Sequence, residues 1–369
     1  MAQPGFINRP MSLALDAVRG IAALVVLLGH AVQHDIYSGS IPFPDVIQHQ
    51  AVVVFFVLSG LVIANSAFER PGTLADYAVA RLARIIPVAT FAVLFSALAW
   101  VVGHDAPFGI IDTAPRFNQP DVASVILPMV FLSESEWGSG PLWNAPYWSL
   151  VYEVWYYALF GAAFYLRGWQ RVLVLVLLVP LAGLRVLLVL PVWLLGVALA
   201  RWAPVRPLSE ARAMLAILAG FALVLAASRL LFVFAPLMDA WASPLTDNLY
   251  LSRYALSDTI LGLGVALAFI GLRTLADQRA ATLEKYQRPI RWLAECSFTI
   301  YLIHWPLLNL AHGYGIGSSN PLVLVAVMAA IVGFSGQVAK LTEHRRADVR
   351  RWIGARLPHS WASRAQVAG

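Results

Sequence analysis

The chain has 369 residues, of which 60% are hydrophobic and only 12% charged, and its net charge is +6. Soluble domains carry about 25% charged residues, so this composition, with a mean hydropathy of +0.71, excludes an ordinary soluble protein. The basic residues fall between apolar segments, a distribution that does not indicate nucleic-acid binding. A single cysteine, Cys296, excludes an intramolecular disulfide and a cysteine-based metal cluster, and it is expected to serve in packing.

Apolar segments of membrane-spanning length recur along the chain. A transmembrane helix needs about 20 mostly apolar residues. The candidates are 13–33, 47–67, 84–102, 147–166, 171–184, 186–201, 213–235, 255–272, 292–312 and 321–341. The two segments around Pro180 and Arg185 are short, and they form either a tight hairpin or one bent helix. The apolar segment 122–132 is too short to cross upright, so it is interpreted as re-entrant or interfacial.

The distribution of arginine and lysine between these segments predicts the orientation of the chain. Cytoplasmic loops of membrane proteins collect basic residues. In a ten-span arrangement the basic clusters near 81–84, 167–171, 201–212, 273–291 and 345–356 all fall on one side, whereas 313–320 on the other side is uncharged. The predicted fold class is therefore all-α, a polytopic integral membrane protein with about ten transmembrane helices and both termini in the cytoplasm. The first segment lacks a signal-cleavage pattern and is expected to be retained.

Three ionisable residues lie on one stripe of the first segment. Asp16, Arg19 and His30 are separated by three and eleven residues, which places them on one face of a helix. His30 lies roughly 16 Å further across the membrane than Arg19, toward the outer half if the N-terminus is cytoplasmic. Buried ionisable groups mark function by default. The alternative is that Asp16 and Arg19 anchor the helix and that His30 is an interfacial histidine.

Two arginines stand just ahead of the third apolar segment. Arg81 and Arg84 are three residues apart, so their side chains share one face of a helix start at the cytoplasmic surface. Two guanidinium groups on one face suit a polyanion such as a phosphate chain. Cytoplasmic arginines are also what membrane topology requires, so the spacing alone supports both interpretations.

The fourth segment contains a carboxylate in an aromatic setting. Glu153 follows Ser149 by four residues and precedes Tyr157 by four, so the three side chains share a face. A carboxylate at this depth is expected to face a cavity or to find a partner on another helix. Trp148 is a candidate to line the acceptor site, although an interfacial aromatic belt would also explain it.

A further polar stripe occurs in the ninth segment, near the C-terminus. Ser297, Tyr301 and His304 follow one another at helical spacing, and Pro306 comes two residues later. Taken alone, His304 is interpreted as a core histidine with its hydrogen bonds satisfied.

Taken together, these motifs resemble the membrane acyltransferase 3 family, which includes O-antigen, exopolysaccharide and Nod-factor acyltransferases. They occur in family order over nearly the whole membrane chain. The motifs are LDAVRGIAALVVLLGH with Arg19 and His30, VVFFVLSGLVI with Ser59 and Gly60, RLARIIP with Arg81 and Arg84, YWSLVYEVWYY with Glu153, WLLGVALAR with Gly196, SFTIYLIHWPLL with Tyr301 and His304, and TEHR with Glu343.

The resemblance implies a roughly ten-helix acyltransferase in which His30 is catalytic. It further implies that Arg19, Arg81 and Arg84 serve the acyl donor or the site. The expected organisation is a membrane domain over 1–345 and a short basic cytoplasmic tail over 346–369. Longer relatives carry a hydrolase-like domain after the last span, and the resemblance implies a stand-alone form without that domain here.

The predicted reaction moves an acyl group, acetyl above all, from cytoplasmic acyl-CoA to a hydroxyl of a carbohydrate or glycolipid at the inner membrane. A thioester is already activated, so the reaction needs a base and a place for the oxyanion but no metal. His30 is the expected base, although a nucleophilic role stays open. Glu153 and Asp16 are expected to assist it, while Tyr301, His304, Ser149 and Trp148 are expected to bind the acceptor.

Two other functions are compatible with the residues. A proton-coupled transporter or flippase would also use buried histidine, carboxylate and arginine, but the sequence shows no internal repeat of the kind common in such transporters. A purely structural membrane protein would leave the three polar stripes unexplained. Acyl-CoA consumption by the purified protein distinguishes the acyltransferase from the transporter or flippase.

Overall fold

The computed structural model describes residues 5–41, 46–69, 72–109, 115–135, 138–203 and 206–356. Within these ranges the chain is helical and has no β-strand, apart from an isolated bridge between Tyr37 and Ser318. The helices, in chain order, are α1 (Arg9–Gln33), α2 (Ile47–Glu69), α3 (Leu74–Gly103), α4 (Ala123–Met129), α5 (Trp148–Tyr165), α6 (Gly168–Trp202), α7 (Glu210–Ala242), α8 (Ala255–Gln278), α9 (Ala280–Lys285), α10 (Gln287–Gly313), α11 (Pro321–Leu341) and α12 (Arg346–Gly354).

Seven helical segments of the described chain are long and apolar enough to cross a membrane. The protein is therefore an all-α, multi-pass membrane protein, as its composition predicts. Nine of the ten predicted spans lie within a helix of the described chain, 147–166 exceeds α5 by one residue at each end, and 122–132 contains the short helix α4. The count of ten crossings and the cytoplasmic location of both termini stay predictions. The predicted tail begins with α12, and its residues 357–369 lie outside the described ranges.

Helix α6 combines two of the predicted segments. The helix runs through 171–184 and 186–201 but is interrupted at Gly183, whose φ of 79° and ψ of 165° are not helical. Glycine adopts positive φ without the steric cost that a Cβ atom would add. Two helical stretches therefore meet at Gly183.

Helix α3 starts earlier than its hydrophobicity indicates. Thr73 and Asp76 form a capping box, in which the Thr73 hydroxyl accepts from the Asp76 N–H and the Asp76 carboxylate accepts from the Thr73 N–H. The helix therefore begins at Leu74 rather than near 84. The prediction that Arg81 and Arg84 stand at the helix start was wrong, because they lie about two and three turns inside it.

The chain divides into two compact units. The first comprises Met1–Gly29, Ile41–Pro71 and Ala182–Ser297, and the second comprises His30–Ser40, Gly72–Leu181 and Phe298–Gly369. In the first unit, α7 packs along α8, and α8 also contacts α2. In the second unit, α3 contacts α4, α5 and α12.

Close backbone contacts hold the helices of the first unit together. A Cβ atom on Gly60 would lie 2.1 Å from the backbone oxygen of Trp193, and one on Gly196 would lie 2.0 Å from that of Val57. Gly220 and Gly264 meet in the same way, at 2.4 and 2.5 Å from each other's backbone oxygens. Small residues let helix backbones approach in membrane proteins, where dispersion contacts rather than the hydrophobic effect drive association.

In the second unit, two backbone features shape the polar centre. Asp35 adopts the left-handed conformation at φ 54° and ends α1 just after His34. Pro306 lies inside α10 and has no N–H, so it cannot bond the carbonyl of Leu302 four residues earlier. The side-chain amide of Asn144 donates to that carbonyl instead, at 2.8 Å. This hydrogen bond joins the turn before α5 to the part of α10 that carries His304.

Candidate active site

The second unit contains a cluster of three buried histidines. His30 and His34 lie one turn apart at the end of α1, and His304 lies on α10. The Nδ1 atom of His30 is 2.7 Å from the Nε2 atom of His304, and the two rings are stacked with their centroids 5.0 Å apart. The sequence analysis assigned His304 to acceptor binding, whereas the structure places it against the imidazole of His30.

The hydrogen bonds of this pair determine which nitrogen of each neutral ring carries the proton. The Nδ1 atom of His304 lies 3.0 Å from the carbonyl oxygen of Ile300. A carbonyl can only accept, so His304 Nδ1 bears the hydrogen and its Nε2 is an acceptor. The Nδ1 atom of His30 must therefore donate to it. The Nε2 atom of His30 is left with a lone pair.

The three histidines differ in how much of their surface is exposed. His34 and His304 are 0% exposed, whereas His30 retains 9% of its surface. The ring of Trp305 stands edge-on to both His30 and His34, with centroid distances of 4.7 and 4.4 Å, and so restrains their orientation. Of the three residues, His30 is the one that keeps some exposed surface.

His34, Trp305 and Asn309 were missed by the sequence analysis. The Nδ1–H of His34 donates to the carbonyl of His30 at 2.7 Å, and its ring is also hydrogen-bonded to Asn309. The signal for His34 was its spacing of four residues from His30, and Trp305 and Asn309 follow Tyr301 at successive intervals of four residues.

Ser149 and Tyr301 connect α5 to α10 beside this cluster. Their hydroxyl oxygens are 2.6 Å apart, and the Tyr301 hydroxyl donates to the carbonyl of Pro146 at 2.9 Å. The ring of Tyr301 lies 5.9 Å from that of His304, centroid to centroid. The shared polar face predicted for Ser149 therefore meets the predicted stripe of Tyr301 and His304. Trp148, next to Ser149, stands edge-on to Tyr152 on its own helix.

Glu153 lies one turn after Ser149 on α5. The hydroxyl of Tyr157 donates to the Glu153 carboxylate in a short hydrogen bond. The hydroxyl of Tyr77, on α3, donates to the backbone oxygen of Tyr157 at 3.1 Å. Glu153 is also near enough to Tyr301 for electrostatic interaction. The Glu153 carboxylate thus finds a tyrosine partner on its own helix and lies within reach of α10.

The guanidinium of Arg81 completes this group. Its Cζ atom lies 5.8 Å from the ring centroid of Tyr77 and 6.0 Å from that of Tyr157, and Arg84 interacts electrostatically with Tyr157 as well. The Nε–H of Arg81 is buried and has no hydrogen-bond acceptor among the described residues. A buried donor without an acceptor is costly, and an anionic ligand would supply the acceptor.

The remaining predicted site residues lie in the first unit. Asp16 and Arg19 form an ion pair at 3.6 Å across one turn of α1, each with about a fifth to a quarter of its side chain exposed (25% and 19%). The first unit also contains a buried pair that the sequence analysis did not identify, in which His49 Nε2 lies 2.9 Å from Asp258 Oδ1.

The fold and these clusters define a multi-pass membrane protein whose polar centre is built around a histidine pair. A family model described as acyltransferase domain, that of the acyltransferase 3 family, matches residues 12–338. The match covers most of the chain, so the chain belongs to this family and is a membrane acyltransferase. No curated protein and no solved structure matches the chain.

Proposed function

We propose that this enzyme transfers an acyl group, most simply acetyl, from acyl-CoA to a hydroxyl of a carbohydrate or glycolipid at the inner membrane. The observation that carries the proposal is the state of His30, whose Nδ1–H is engaged with His304, whose Nε2 carries the lone pair, and which keeps 9% of its surface exposed. A neutral imidazole held in this way is suited to act as a general base.

The proposed reaction needs one proton acceptor that can return its proton. His30 Nε2 takes the proton of the acceptor hydroxyl while that oxygen attacks the thioester carbonyl carbon. The carbon–sulfur bond then breaks, and the His30 imidazolium protonates the leaving thiolate, which departs as free coenzyme A. His304 accepts the Nδ1–H of His30 throughout, so it orients the ring and stabilises its charged form.

The donor site is proposed at the arginines of α3. Coenzyme A carries a diphosphate and a ribose phosphate, and the planar fork of arginine matches phosphate oxygens. Arg81 suits this role because its buried Nε–H lacks an acceptor among the described residues. Arg84 lies one turn along the same face of α3. Arg19, paired with Asp16, is expected to act at the cytoplasmic end of α1, where it supports donor entry rather than the chemical step.

The acceptor is proposed to approach from the outer half of the membrane. His30 lies 21 residues into α1, about 32 Å from the start of that helix. With a cytoplasmic N-terminus, the base is then near the outer surface, where carbohydrates and glycolipids are modified. Ser149, Tyr301 and Trp148 lie on the adjoining turns and supply the hydroxyl and aromatic groups that a sugar requires.

The experiment is acyl transfer by purified protein in detergent or nanodiscs, with acetyl-CoA as the donor and release of free thiol as the readout. His30→Ala is expected to lower kcat by roughly 10² to 10⁴, the usual contribution of a general base, with normal membrane insertion. His104→Ala is the matched control, since His104 is exposed and bonds only within its own helix and to Asp105. Wild-type turnover in His30→Ala would remove this residue from the mechanism, and absence of thiol release by the wild type would favour transport.

A further inference from the structure

Polar and aromatic side chains of the second unit form a line from Arg81 to His30. Arg81 lies against Tyr157, which donates to Glu153. One turn along the same face of α5, Ser149 contacts the hydroxyl of Tyr301, whose ring adjoins His304, the partner of His30. The line thus joins the proposed phosphate site to the proposed base.

Proton conduction does not account for this line. Transfer of an acyl group from a thioester to a hydroxyl moves one proton from the hydroxyl to the leaving thiolate, and His30 can carry it alone. No proton has to enter or leave the site, so the chemistry requires no proton path to the arginines.

The donor itself requires a polar route. Its phosphates carry several charges and stay at the membrane surface, because burying them in the bilayer is prohibitively costly. Its thioester must nevertheless reach His30. The pantetheine arm between them contains two amides and a hydroxyl, and each amide that lost its hydrogen bonds in the membrane interior would cost several kcal/mol. The route must therefore offer both donors and acceptors.

We infer that the face of α5 bearing Tyr157 and Glu153, up to Ser149 at the proposed acceptor site, lines the route of the pantetheine arm, with Glu153 as the principal acceptor for its amide N–H groups. This inference rests on the proposed use of acyl-CoA. Ser149 and Tyr157 are eight positions apart, which corresponds to about 12 Å along the helix. This face alternates a hydroxyl, a carboxylate and a phenol at single-turn spacing. Glu153 is only partly buried, which distinguishes it from the buried Tyr157 and Ser149 on the same face.

The test separates binding of the arm from binding of the nucleotide. Coenzyme A and adenosine 3′,5′-bisphosphate, which lacks the arm, are titrated into the purified wild type and three variants by calorimetry. Glu153→Ala is expected to weaken coenzyme A binding about 10- to 100-fold, as for loss of hydrogen bonds to a charged group. Its affinity for the bisphosphate should equal that of the wild type.

The other variants show how loss of phosphate binding, or no loss at all, differs from the result expected for Glu153→Ala. The double change Arg81→Lys and Arg84→Lys is expected to weaken both ligands, and Val154→Ala, on the same helix but turned about 100° away, should weaken neither. Equal loss of both ligands in Glu153→Ala, or no loss of either, would overturn the inference. If the wild type bound neither ligand, the proposed donor itself would be wrong, which is a different outcome from failure of the arm site alone.

Discussion

The imidazole of His304 has no direct access to substrate, and its effect must pass through His30. It is 0% exposed, and its Nε2 accepts the Nδ1–H of His30 at 2.7 Å. Replacing it removes the group that selects the tautomer with a bare Nε2, so the His30 ring can turn or take the other tautomer. An orienting partner of this kind contributes to kcat rather than to substrate binding.

His304→Ala is therefore expected to lower kcat by roughly 10²-fold with little change in KM for the donor. His304→Gln retains an amide oxygen that can accept from His30 Nδ1, so it should recover part of the lost rate. Steady-state kinetics of both variants check this prediction. A loss expressed only in KM would show that His304 binds the acceptor, as the sequence analysis expected.

Replacing Arg81 and Arg84 by lysine tests whether these two arginines of α3 bind phosphate or only set the membrane topology. Lysine keeps the charge that orientation needs but lacks the planar fork that binds two phosphate oxygens at once. Arg81→Lys and Arg84→Lys should insert normally and raise the KM for acyl-CoA, and the double variant should be worse than either alone. Arg167→Lys, at an exposed position before α6, is the control. An unchanged KM in the double variant would show that these arginines only set the membrane topology.

At the scale of the elements, the packing of α2 against the second half of α6 depends on a pair of glycines. A Cβ atom at Gly60 would lie 2.1 Å from the Trp193 oxygen, and the atom it meets is backbone, which cannot rotate away. The helices would have to separate, with loss of the close contacts that hold membrane helices together.

Gly60→Ala is accordingly expected to lower the melting temperature of the purified protein and to reduce the fraction that elutes as a single species. Gly333→Ala supplies the control, because a Cβ atom there would meet no atom within 4 Å. Thermal unfolding followed by tryptophan fluorescence measures both. Equal melting temperatures for the two variants would contradict the close contact between Gly60 and Trp193.

At the scale of the whole molecule, the arginine asymmetry predicts which loops share a side of the membrane. Ala281 and Ser319 are exposed and lie in the loops on either side of α10. The native Cys296 is fully buried, so a Cys296→Ala background allows selective labelling of introduced cysteines.

With a membrane-impermeant maleimide on intact cells, Ser319→Cys is expected to react, whereas Ala281→Cys should react only after the cells are opened. The physical basis is the positive-inside rule, since 273–291 is rich in arginine and lysine and 313–320 is uncharged. Labelling of Ser319→Cys from the cytoplasm alone would overturn the ten-span model and the outer location proposed for His30.

Properties that depend on neighbours along the chain could be predicted from the sequence. The membrane class, the helical positions and the shared faces of Ser149 with Glu153 and Tyr301 with His304 follow from apolar content and the 3.6-residue period. The start of α3 was missed although its capping box, Thr73 with Asp76, is local, because hydrophobicity was taken as the only signal.

The pairing of side chains across helices was decided by the tertiary structure alone. His30 and His304 are 274 residues apart, and Ser149 and Tyr301 are 152 apart. Helical periodicity places each residue on a face but contains no information on which face of another helix it meets, since that depends on how the helices pack. The proton position on His30 follows only from this packing, because it depends on the hydrogen bond between His304 and Ile300.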